Sequence, residues 1–544
     1  MSTSENQCLD YIVIGAGSAG CVLAEKLSAN PAHRVLLIEA GGTDKNPFIH
    51  MPKGVAKLVV NPDHIWAYQV EQPRVPNEEA NEIWIRGRGL GGSSSINGMI
   101  WSRGEPADYD EWEKLGCTGW NGESMTSAFR ALEDHQLGSS DLRGAGGPVP
   151  VSPGTFKYPL TRRMIDAGKQ MGMAETDDLN SLTGDRIGFY SHNIYRGKRQ
   201  SSAVTFLNRA KSRPNLEILT QTIAKQICIS DGTVTGVELR HKDRGDFVVD
   251  CQGEVILSAG TMESPQILER SGIGDPDHLK QIGITPVTHS PDVGNRLREH
   301  LAFAMPHRLK HQDGINRSFF GLGLLKSVLQ YYLFHSGPMA TGPFEVGGFA
   351  NIAHPDGRPD LQLYLGGYTF ALSEDNHPVP LNDIDREPGI SIYGQLLRLT
   401  SEGSIHIKSP DPADGTSVTP NWLTTEEDRR AAVECVRYMR RLMAQPALAP
   451  EIERELLPGP NVQTDEEILE SFRRLATCGL HGMGTCRMGG DDRAVVDHEL
   501  RVRGVQGLRV ADCSVMPYPV TGNTNAPAMA VGWRAAEMIL GNGV

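Results

Sequence analysis

The sequence predicts an α/β fold with a nucleotide-binding domain and a further region that contains an antiparallel sheet. Three observations predict it. An apolar strand near the N-terminus runs into a Gly-x-Gly-x-x-Gly turn, and a second unit of strand, glycine turn and helix follows at about 254–268. From about 300 to 463, proline and aromatic residues increase and apolar residues alternate, as at 360–365 and 403–407, which is typical of an antiparallel sheet.

The first unit is predicted to be a buried strand at 11–14, a tight turn, and a helix beginning near Cys21. Gly15 permits the turn, Gly17 leaves room for a diphosphate, and Gly20 lets the helix pack closely. The free amides of the helix N-terminus add the positive end of the helix dipole. The unit is therefore predicted to bind an adenosine diphosphate moiety, with a glycine-rich turn of another α/β unit as the alternative.

A second apolar strand at 34–38 is followed by Glu39, nineteen positions after Gly20. A carboxylate at this distance can accept hydrogen bonds from ribose hydroxyls. Glu39 is therefore predicted to contact the ribose of the nucleotide.

Length and charge limit the classes of function. The chain has 544 residues and a net charge of −13, without a basic tract, so neither nucleic acid nor an anionic membrane is an expected partner. Its nine cysteines are widely spaced and form no C-x-x-C pair, which favours reduced thiols and a cytoplasmic location. The first residues lack the apolar core of a signal peptide.

The most apolar later stretch, at 319–334, is interrupted by Lys326 and is shorter than a membrane-spanning helix. We expect a helix packed over the protein interior and no integral membrane segment. Peripheral contact of this stretch with a membrane surface is the alternative.

A dense glycine and serine segment at 86–104 contains six glycines and three consecutive serines close to Asn97. Small residues allow the backbone to approach a flat, extended ligand, and amides and hydroxyls can bond to it. The apolar residues between the glycines argue against a flexible linker.

The residues from Gly87 to Asn97, continuing to Trp101, Gly104 and Asp110, resemble the first signature of the glucose-methanol-choline (GMC) oxidoreductases, flavoproteins that oxidise alcohols. The segments 258–268 and 271–274 resemble the second signature. In the second segment, Ser264 is expected at the N-cap of a helix and Pro265 at its first position.

The resemblance implies a Rossmann-like FAD-binding domain of the GMC/PHBH type with an inserted antiparallel-sheet substrate domain. The expected FAD-binding segments are 8–150, 191–300 and 464–544, and the expected substrate-domain segments are 151–190 and 301–463. The residues expected to contact FAD are Gly15, Gly17, Ser18, Ala19, Gly20, Glu39, Ala40, Trp66, Arg86, Gly91, Gly92, Ser93, Asn97, Gly98, Met99, Ile100, Ala224, Ala259, Gly260, Asp512 and Thr524. The segment 293–300 departs from the family pattern, and no FAD contact is assigned to it.

Local patterns predict three further elements. The residues 217–229 and 234–239, joined by Asp231 and Gly232, are expected to form a hairpin. A helix is expected at 428–443, with its regularly spaced apolar residues in the core. A C-terminal helix at 528–540 is expected to start beneath the flavin ring, by the resemblance.

Three C-terminal motifs, at 481–489, 495–512 and 517–527, also resemble family motifs. They imply that His481 is the general base that takes the hydroxyl proton of an alcohol, and that Asn523 donates a hydrogen bond to the developing alkoxide. A zinc site at Cys478, His481 and Cys486 is the alternative, but a fourth ligand is missing. No metal is therefore predicted.

The implied reaction is oxidation of a primary alcohol to its aldehyde by FAD, with electrons passed to a quinone or another carrier. An oxidase that uses O2, a lyase that keeps FAD as a structural group, and a non-catalytic nucleotide-binding protein are the alternatives. FAD is expected to be non-covalent, because the position at which some family members carry a flavin-linked histidine is Ile96 here. Composition suggests a substrate pocket that contains Phe344, Tyr364, Tyr368 and Trp422.

Overall fold

The computed structural model describes residues 9–73, 82–354, 356–372 and 383–541. Its nucleotide-binding half is built on a five-stranded parallel sheet whose strands come from distant parts of the chain. In spatial order they are Leu216–Leu219, Val35–Ile38, Tyr11–Ile14, Glu254–Leu257 and Leu508–Val510. The three central strands are apolar and buried on both faces over most of their length, as expected of a parallel sheet covered by other elements.

Two helices pack beside this sheet, Ser18–Leu27 and Asn525–Ile539. The first begins three residues earlier than Cys21, and the second begins three residues before 528. Gly532 permits their contact, because a Cβ there would lie 2.7 Å from the carbonyl oxygen of Ala19. Gly20 has the packing role expected of it, since its Cβ would lie 1.9 Å from the carbonyl oxygen of Gly15.

The helix of the second signature is Gly260–Arg270, so the expected start at Ser264 and Pro265 is wrong. The helix begins earlier because the Asp512 carboxylate accepts a hydrogen bond from the Gly260 amide at 2.9 Å. Pro265 lies inside the helix and has no N–H to donate one turn back, to the carbonyl of Thr261. The hydroxyl of Thr485 donates to that carbonyl instead, at 2.8 Å.

The predicted hairpin is present, but its first strand is not continuous. Leu216–Leu219 belongs to the parallel sheet, and the hairpin begins at Thr222. The break lies at Gln221, which has φ of 54° and donates its N–H to the carbonyl of Gly41. A third strand that was not predicted completes this sheet, whose strands are Thr222–Ser230, Thr233–His241 and Gly245–Asp250.

The other half contains an eight-stranded sheet in which all pairs are antiparallel except the parallel pair of Ala174–Thr176 with Arg186–Phe189. Its strands in spatial order are Ile452–Glu455, Leu301–Leu309, Gly389–Leu396, Leu361–Gly366, Val346–Ala350, Arg186–Phe189 and Ala174–Thr176, and Thr477–Cys478 pairs with Leu301–Leu309. The helices Pro159–Gln170, Glu426–Met443 and Asp465–Leu475 share its apolar core. We propose that the two sheets define two domains, divided as the sequence predicts.

Two expectations for this half have different outcomes. The helix expected at 428–443 is Glu426–Met443, and Val433, Val436, Met439 and Met443 are buried as expected. The strand expected at 403–407 does not join the large sheet, because Ser404–Ile407 pairs with Thr416–Thr419 as a separate ribbon.

Short elements complete the described fold. The remaining strands are Ile65–Gln69 with Ile83–Gly87, Glu133–His135 and Ser191–His192 with Val149–Pro153, Ile194–Tyr195 with Lys198–Arg199, and Ile273–Gly274 with Thr288–His289. The remaining helices are Pro47–His50, Val55–Leu58, Pro106–Lys114, Gly122–Leu132, Asn208–Ala210, Pro276–Gln281 and Gly321–Phe334. Turns of 3-10 helix occur at Pro52–Gly54, Gly92–Ser95, Asn316–Phe319, Pro338–Ala340, Ala449–Glu451 and Cys513–Val515, and a π-helical turn occurs at Ala203–Leu207.

The apolar stretch at 319–334 forms the helix Gly321–Phe334, but the expectation that it packs over the interior is wrong. Only Ser327 and Tyr331 of this helix are buried. Among the described residues, no helix has the combination of length and apolar character that crossing a bilayer requires.

Candidate active site

A cavity of about 440 Å³ extends from the parallel sheet to the large sheet. At one end it is lined by the carboxyl ends of two parallel strands, through Ile14 and Ile38. At the other end it is lined by large-sheet residues that include Tyr364 and Gln395. The carboxyl edge of a parallel sheet is where such folds bind nucleotides.

Every residue expected to contact the cofactor lines this cavity, except Gly20 and Gly91. The space beside Gly20 is occupied by the Gly15 carbonyl, because the helix packs closely against the turn. Gly91 has φ of 92°, and its amide donates to the carbonyl of Ala16 at 2.8 Å. Both glycines therefore allow the conformation and packing of the turn without lining the cavity themselves.

Glu39 is held by three backbone amides. Its carboxylate accepts hydrogen bonds from Ala16 at 3.0 Å, Gly41 at 2.8 Å and Gly89 at 2.9 Å. Burial raises the pKa of Glu39, and these three bonds oppose that rise. A carboxylate has about four acceptor sites, so one remains for the predicted ribose contact.

Two further features of the cavity, at Gly17 and Asn525, suit a dinucleotide. A Cβ on Gly17 would meet no protein atom closer than 3.9 Å, so the space in front of this glycine is part of the cavity. Asn525, in the first turn of the C-terminal helix, lines the cavity, and its buried Nδ2 has no hydrogen-bond partner among the described residues. A polar ligand with acceptor atoms would satisfy that amide.

His481 and Asn523, the two residues expected to be catalytic, are neighbours in the wall of the cavity. The Nδ2 of Asn523 lies 3.0 Å from the Nε2 of His481. The Oδ1 of Asn523 accepts from the Nε2 of Gln362 at 2.9 Å, which fixes the orientation of the amide. The Asn523 Nδ2 also lies 3.2 Å from the hydroxyl of Tyr364.

The other ring nitrogen of His481 faces two polar side chains that the sequence did not identify. Its Nδ1 lies 3.1 Å from the Nδ1 of His300 and 3.1 Å from the Nε2 of Gln395. His300 lies in the segment that departs from the family pattern, and Gln395 lies in a strand of the large sheet. A histidine in the altered motif was the available indication for His300, whereas nothing local marks Gln395.

Glu299 organises the backbone next to this pair. It accepts hydrogen bonds from the amides of His481 at 2.6 Å and His300 at 2.8 Å, and it forms an ion pair with Arg86 at 3.2 Å. The thiol of Cys478 also donates to it, at 3.3 Å. One buried carboxylate thus links the loop that carries His481 to Arg86, at the start of the glycine-rich segment.

Burial governs the protonation of both histidines. It lowers the pKa of His481 well below the usual value, and the nearby His300 and Arg86 lower it further. Burial also lowers the pKa of His300 to about 3, with a contribution from Arg398. Both rings are therefore neutral at physiological pH, and one ring nitrogen of each carries a proton.

The comparison with known families decides the assignment. The GMC oxidoreductase family matches in two parts, an N-terminal model over residues 9–302 and a C-terminal model over residues 400–532. This chain belongs to the GMC oxidoreductase family. It is therefore an enzyme, a flavin-dependent oxidoreductase of the alcohol-oxidising type, and its cofactor is FAD.

Relatives of this GMC oxidoreductase span nearly its full length. The chain is 37% identical to the alcohol dehydrogenase [acceptor] of Pseudomonas putida, over 98% of this chain and 95% of that protein. It is 35% identical to the mitochondrial choline dehydrogenase of Mus musculus, over 98% of this chain and 89% of that protein. Pyridoxine 4-oxidase from Mesorbium loti has a similar structure, with a TM-score of 0.86 and 30% identity over 98% of this chain and 99% of that one.

Two subsidiary expectations for this GMC oxidoreductase can be compared with the site. Cys478, His481 and Cys486 do not come together as metal ligands. In the described part of the chain, the three potential ligands whose atoms lie within 4.8 Å of one another are Glu269, His278 and His406. Of the aromatic residues expected around the substrate, Phe344 and Tyr364 line the cavity, but Tyr368 and Trp422 do not. Tyr393 and Phe370 line it instead.

Proposed function

We propose that the protein oxidises a primary alcohol to its aldehyde, with His481 as the general base and Asn523 as the donor to the alcohol oxygen. The observation that supports this best is the 3.0 Å pair of His481 Nε2 and Asn523 Nδ2 in the wall of a cavity that fits FAD. Bound FAD supplies the hydride acceptor, the flavin N5. The protein must then remove the hydroxyl proton and hold the carbon in place.

His481 suits the role of base because its pKa is lowered, so the ring is neutral and can accept a proton. For Nε2 to present a lone pair toward the alcohol, Nδ1 must carry the ring proton. That proton can be donated to His300 Nδ1, which lies 3.1 Å away. The Nδ2 of Asn523 can only donate and lies 3.0 Å from Nε2, so it favours the same tautomer, and the Nε2 of Gln395 can donate to the Oε1 of Gln362 instead of to Nδ1.

Asn523 suits the role of donor because its oxygen is already occupied by Gln362. The amide nitrogen is therefore oriented toward the space that the alcohol oxygen would share with His481. A fixed donor at this point stabilises the developing alkoxide without having to reorganise during the reaction. Amides in the first turn of Asn525–Ile539 add the positive end of a helix dipole to the same region of the cavity.

We propose an uncharged, partly apolar alcohol as the substrate and a quinone or another carrier as the electron acceptor. Phe344, Phe370 and Tyr393 give the substrate end of the cavity an apolar, aromatic wall. The relative from Pseudomonas putida is named for an unspecified acceptor, and the solved relative from Mesorbium loti is named as an oxidase. A screen of alcohols with an artificial acceptor, run beside an oxygen electrode, shows whether the electrons pass to a carrier or to O2.

The central test is anaerobic stopped-flow reduction of the bound flavin by substrate. We expect His481→Ala to retain FAD and to reduce it at least about 10²-fold more slowly, the low end of a general base's contribution. Asn523→Ala should cost about 2–4 kcal/mol of barrier, as for a lost oxyanion donor. His498→Ala, at an exposed position, is the matched control and should react as the wild type does. If the FAD-loaded His481→Ala protein is reduced by substrate at the wild-type rate, His481 is excluded as the base.

We also propose that FAD is bound without a covalent link. Ile96 lines the cavity and has no nucleophilic atom. Acid precipitation of the holoenzyme should release the yellow cofactor into the supernatant. Colour that stays with the precipitated protein would contradict this proposal.

A further inference from the structure

The helix Gly321–Phe334 presents its apolar side to solvent. Leu322 is 85% exposed, Leu333 is 69% exposed and Phe334 is 73% exposed. Leu325, Leu329 and Tyr332 are also more than half exposed. The residues 322, 325, 329 and 332 recur at helical spacing, so they form one outward face.

The inward side of this helix is the polar one. Its two buried residues are Ser327 and Tyr331, and the Tyr331 hydroxyl lies 3.5 Å from the carbonyl of His50. This distribution is the reverse of that of a surface helix in a water-soluble domain. An outward apolar stripe of this size marks a surface that contacts something other than water.

The charge around the helix favours an anionic surface. No acidic residue occurs from Gly314 to Phe344, although the whole chain carries a net charge of −13. Arg317 and Lys326 are exposed there. They form no ion pair with any described residue.

A second pair of cations lies at the C-terminal end of the helix. The turn containing Arg196 and Lys198 adjoins this end, because a Cβ on the intervening Gly197 would lie 2.2 Å from the carbonyl oxygen of His335. Both cations are exposed. Cations that flank an exposed apolar stripe complement a layer of phospholipid headgroups over acyl chains.

The helix adjoins the wall of the substrate cavity. At its N-terminal side, the ring of Phe319 lies 5.2 Å from that of Tyr368, which lies 5.5 Å from that of the cavity residue Phe370. At its C-terminal side, the chain continues through the turn Pro338–Ala340 to the cavity residue Phe344.

We propose that Gly321–Phe334 is an interfacial membrane-docking helix that lies in the headgroup layer of a phospholipid bilayer, with Leu322, Leu325, Leu329 and Leu333 toward the acyl chains. Fourteen residues make a helix of roughly 21 Å, which is too short to cross the bilayer core but long enough to lie along its surface. The docked enzyme would have its cavity close to the membrane. This proposal does not depend on the identity of the substrate.

The test is co-sedimentation of the full-length, FAD-loaded enzyme with sucrose-loaded vesicles of phosphatidylcholine and phosphatidylglycerol. We expect the wild type to sediment with the vesicles and the double variant Leu325→Gln/Leu329→Gln to bind at least about tenfold more weakly, because its apolar face is interrupted. Lys326→Glu should weaken binding more to these vesicles than to pure phosphatidylcholine, and added salt should reduce that difference.

Two controls make the result specific. Val248→Gln and Val287→Gln change exposed apolar residues outside the helix and should leave vesicle binding at the wild-type level. The double variant should retain wild-type turnover with a soluble artificial acceptor, which shows that it is folded. Failure of the wild type to sediment, or equal sedimentation of the double variant, would overturn the proposal. A wild-type dimer in solution that the double variant converts to a monomer, without vesicle binding, would assign the face to a second copy instead.

Discussion

At the residue scale, the proposed chemistry depends on how three neutral groups constrain one another. His481 faces Asn523 through Nε2 and His300 through Nδ1, at 3.0 Å and 3.1 Å. Because both imidazoles are buried, neither gains a proton easily. The two rings are therefore a neutral hydrogen-bonded pair and not an ion pair, as the proposed role of His481 as a base requires.

The lowered pKa of His481 has a consequence for the pH dependence of flavin reduction. The neutral imidazole is the reactive form, so the rate falls only when pH drops through the folded-state pKa, which lies below the ordinary value of about 6.5. We therefore expect the anaerobic reduction rate to stay level from neutral pH down through 6.5, and to decline only at lower pH. A neutral alcohol should be used, so that the substrate does not titrate. A rate already halved at or above pH 6.5 would contradict this assignment.

At the element scale, the glycines of the first turn have two separate functions. A Cβ on Gly20 would collide with the Gly15 carbonyl, whereas a Cβ on Gly17 would enter open cavity. The first glycine therefore serves the packing of a helix on a turn, and the second serves the ligand. The two positions look alike in the motif and differ only in what surrounds them.

This difference predicts opposite effects for two matched substitutions. We expect Gly17→Ala to leave the thermal stability of the apoprotein within a few degrees of wild type and to weaken FAD binding at least tenfold, because the methyl group occupies ligand space. Gly20→Ala should lower the stability of the apoprotein itself, since the helix must move away from the turn. Differential scanning fluorimetry of the apoproteins and FAD titration measure both. Equal loss of apoprotein stability in the two variants would refute the distinction.

At the scale of the whole molecule, Asp108 connects segments that are distant in the chain. It accepts hydrogen bonds from Arg398 at 2.8 Å and from the amide and hydroxyl of Thr521 at 2.6 Å and 3.1 Å. Asp108 is fully buried, and Arg398 follows a strand of the large sheet. Thr521 lies two residues before Asn523, so this link joins the helix Pro106–Lys114 and the large sheet to the segment that carries Asn523.

Asp108→Asn should therefore affect stability and catalysis together. Replacing one oxygen by an amide leaves the buried Arg398 charge unpaired and costs about 3 kcal/mol or more of unfolding free energy. We also expect slower flavin reduction, because the segment that carries Asn523 loses its anchor. Urea unfolding and stopped-flow reduction measure the two effects, and Asp141→Asn at an exposed site is the control. An Asp108→Asn protein with both properties unchanged would show that the link is dispensable.

The sequence by itself determined the nucleotide turn and the FAD-type fold, and it predicted His481 and Asn523 as site residues, because these depend on short motifs in which neighbours along the chain specify the geometry. The tertiary structure decided what lies opposite those motifs. Gln395 and His300 reach His481 only because a strand of the large sheet pairs with the strand that follows His300. The start of Gly260–Arg270 depends on Asp512, and the exposure of Gly321–Phe334 depends on the absence of a covering element in the described part of the chain. A local pattern can specify a turn or an apolar face, but it cannot specify which distant partner satisfies a donor or covers that face.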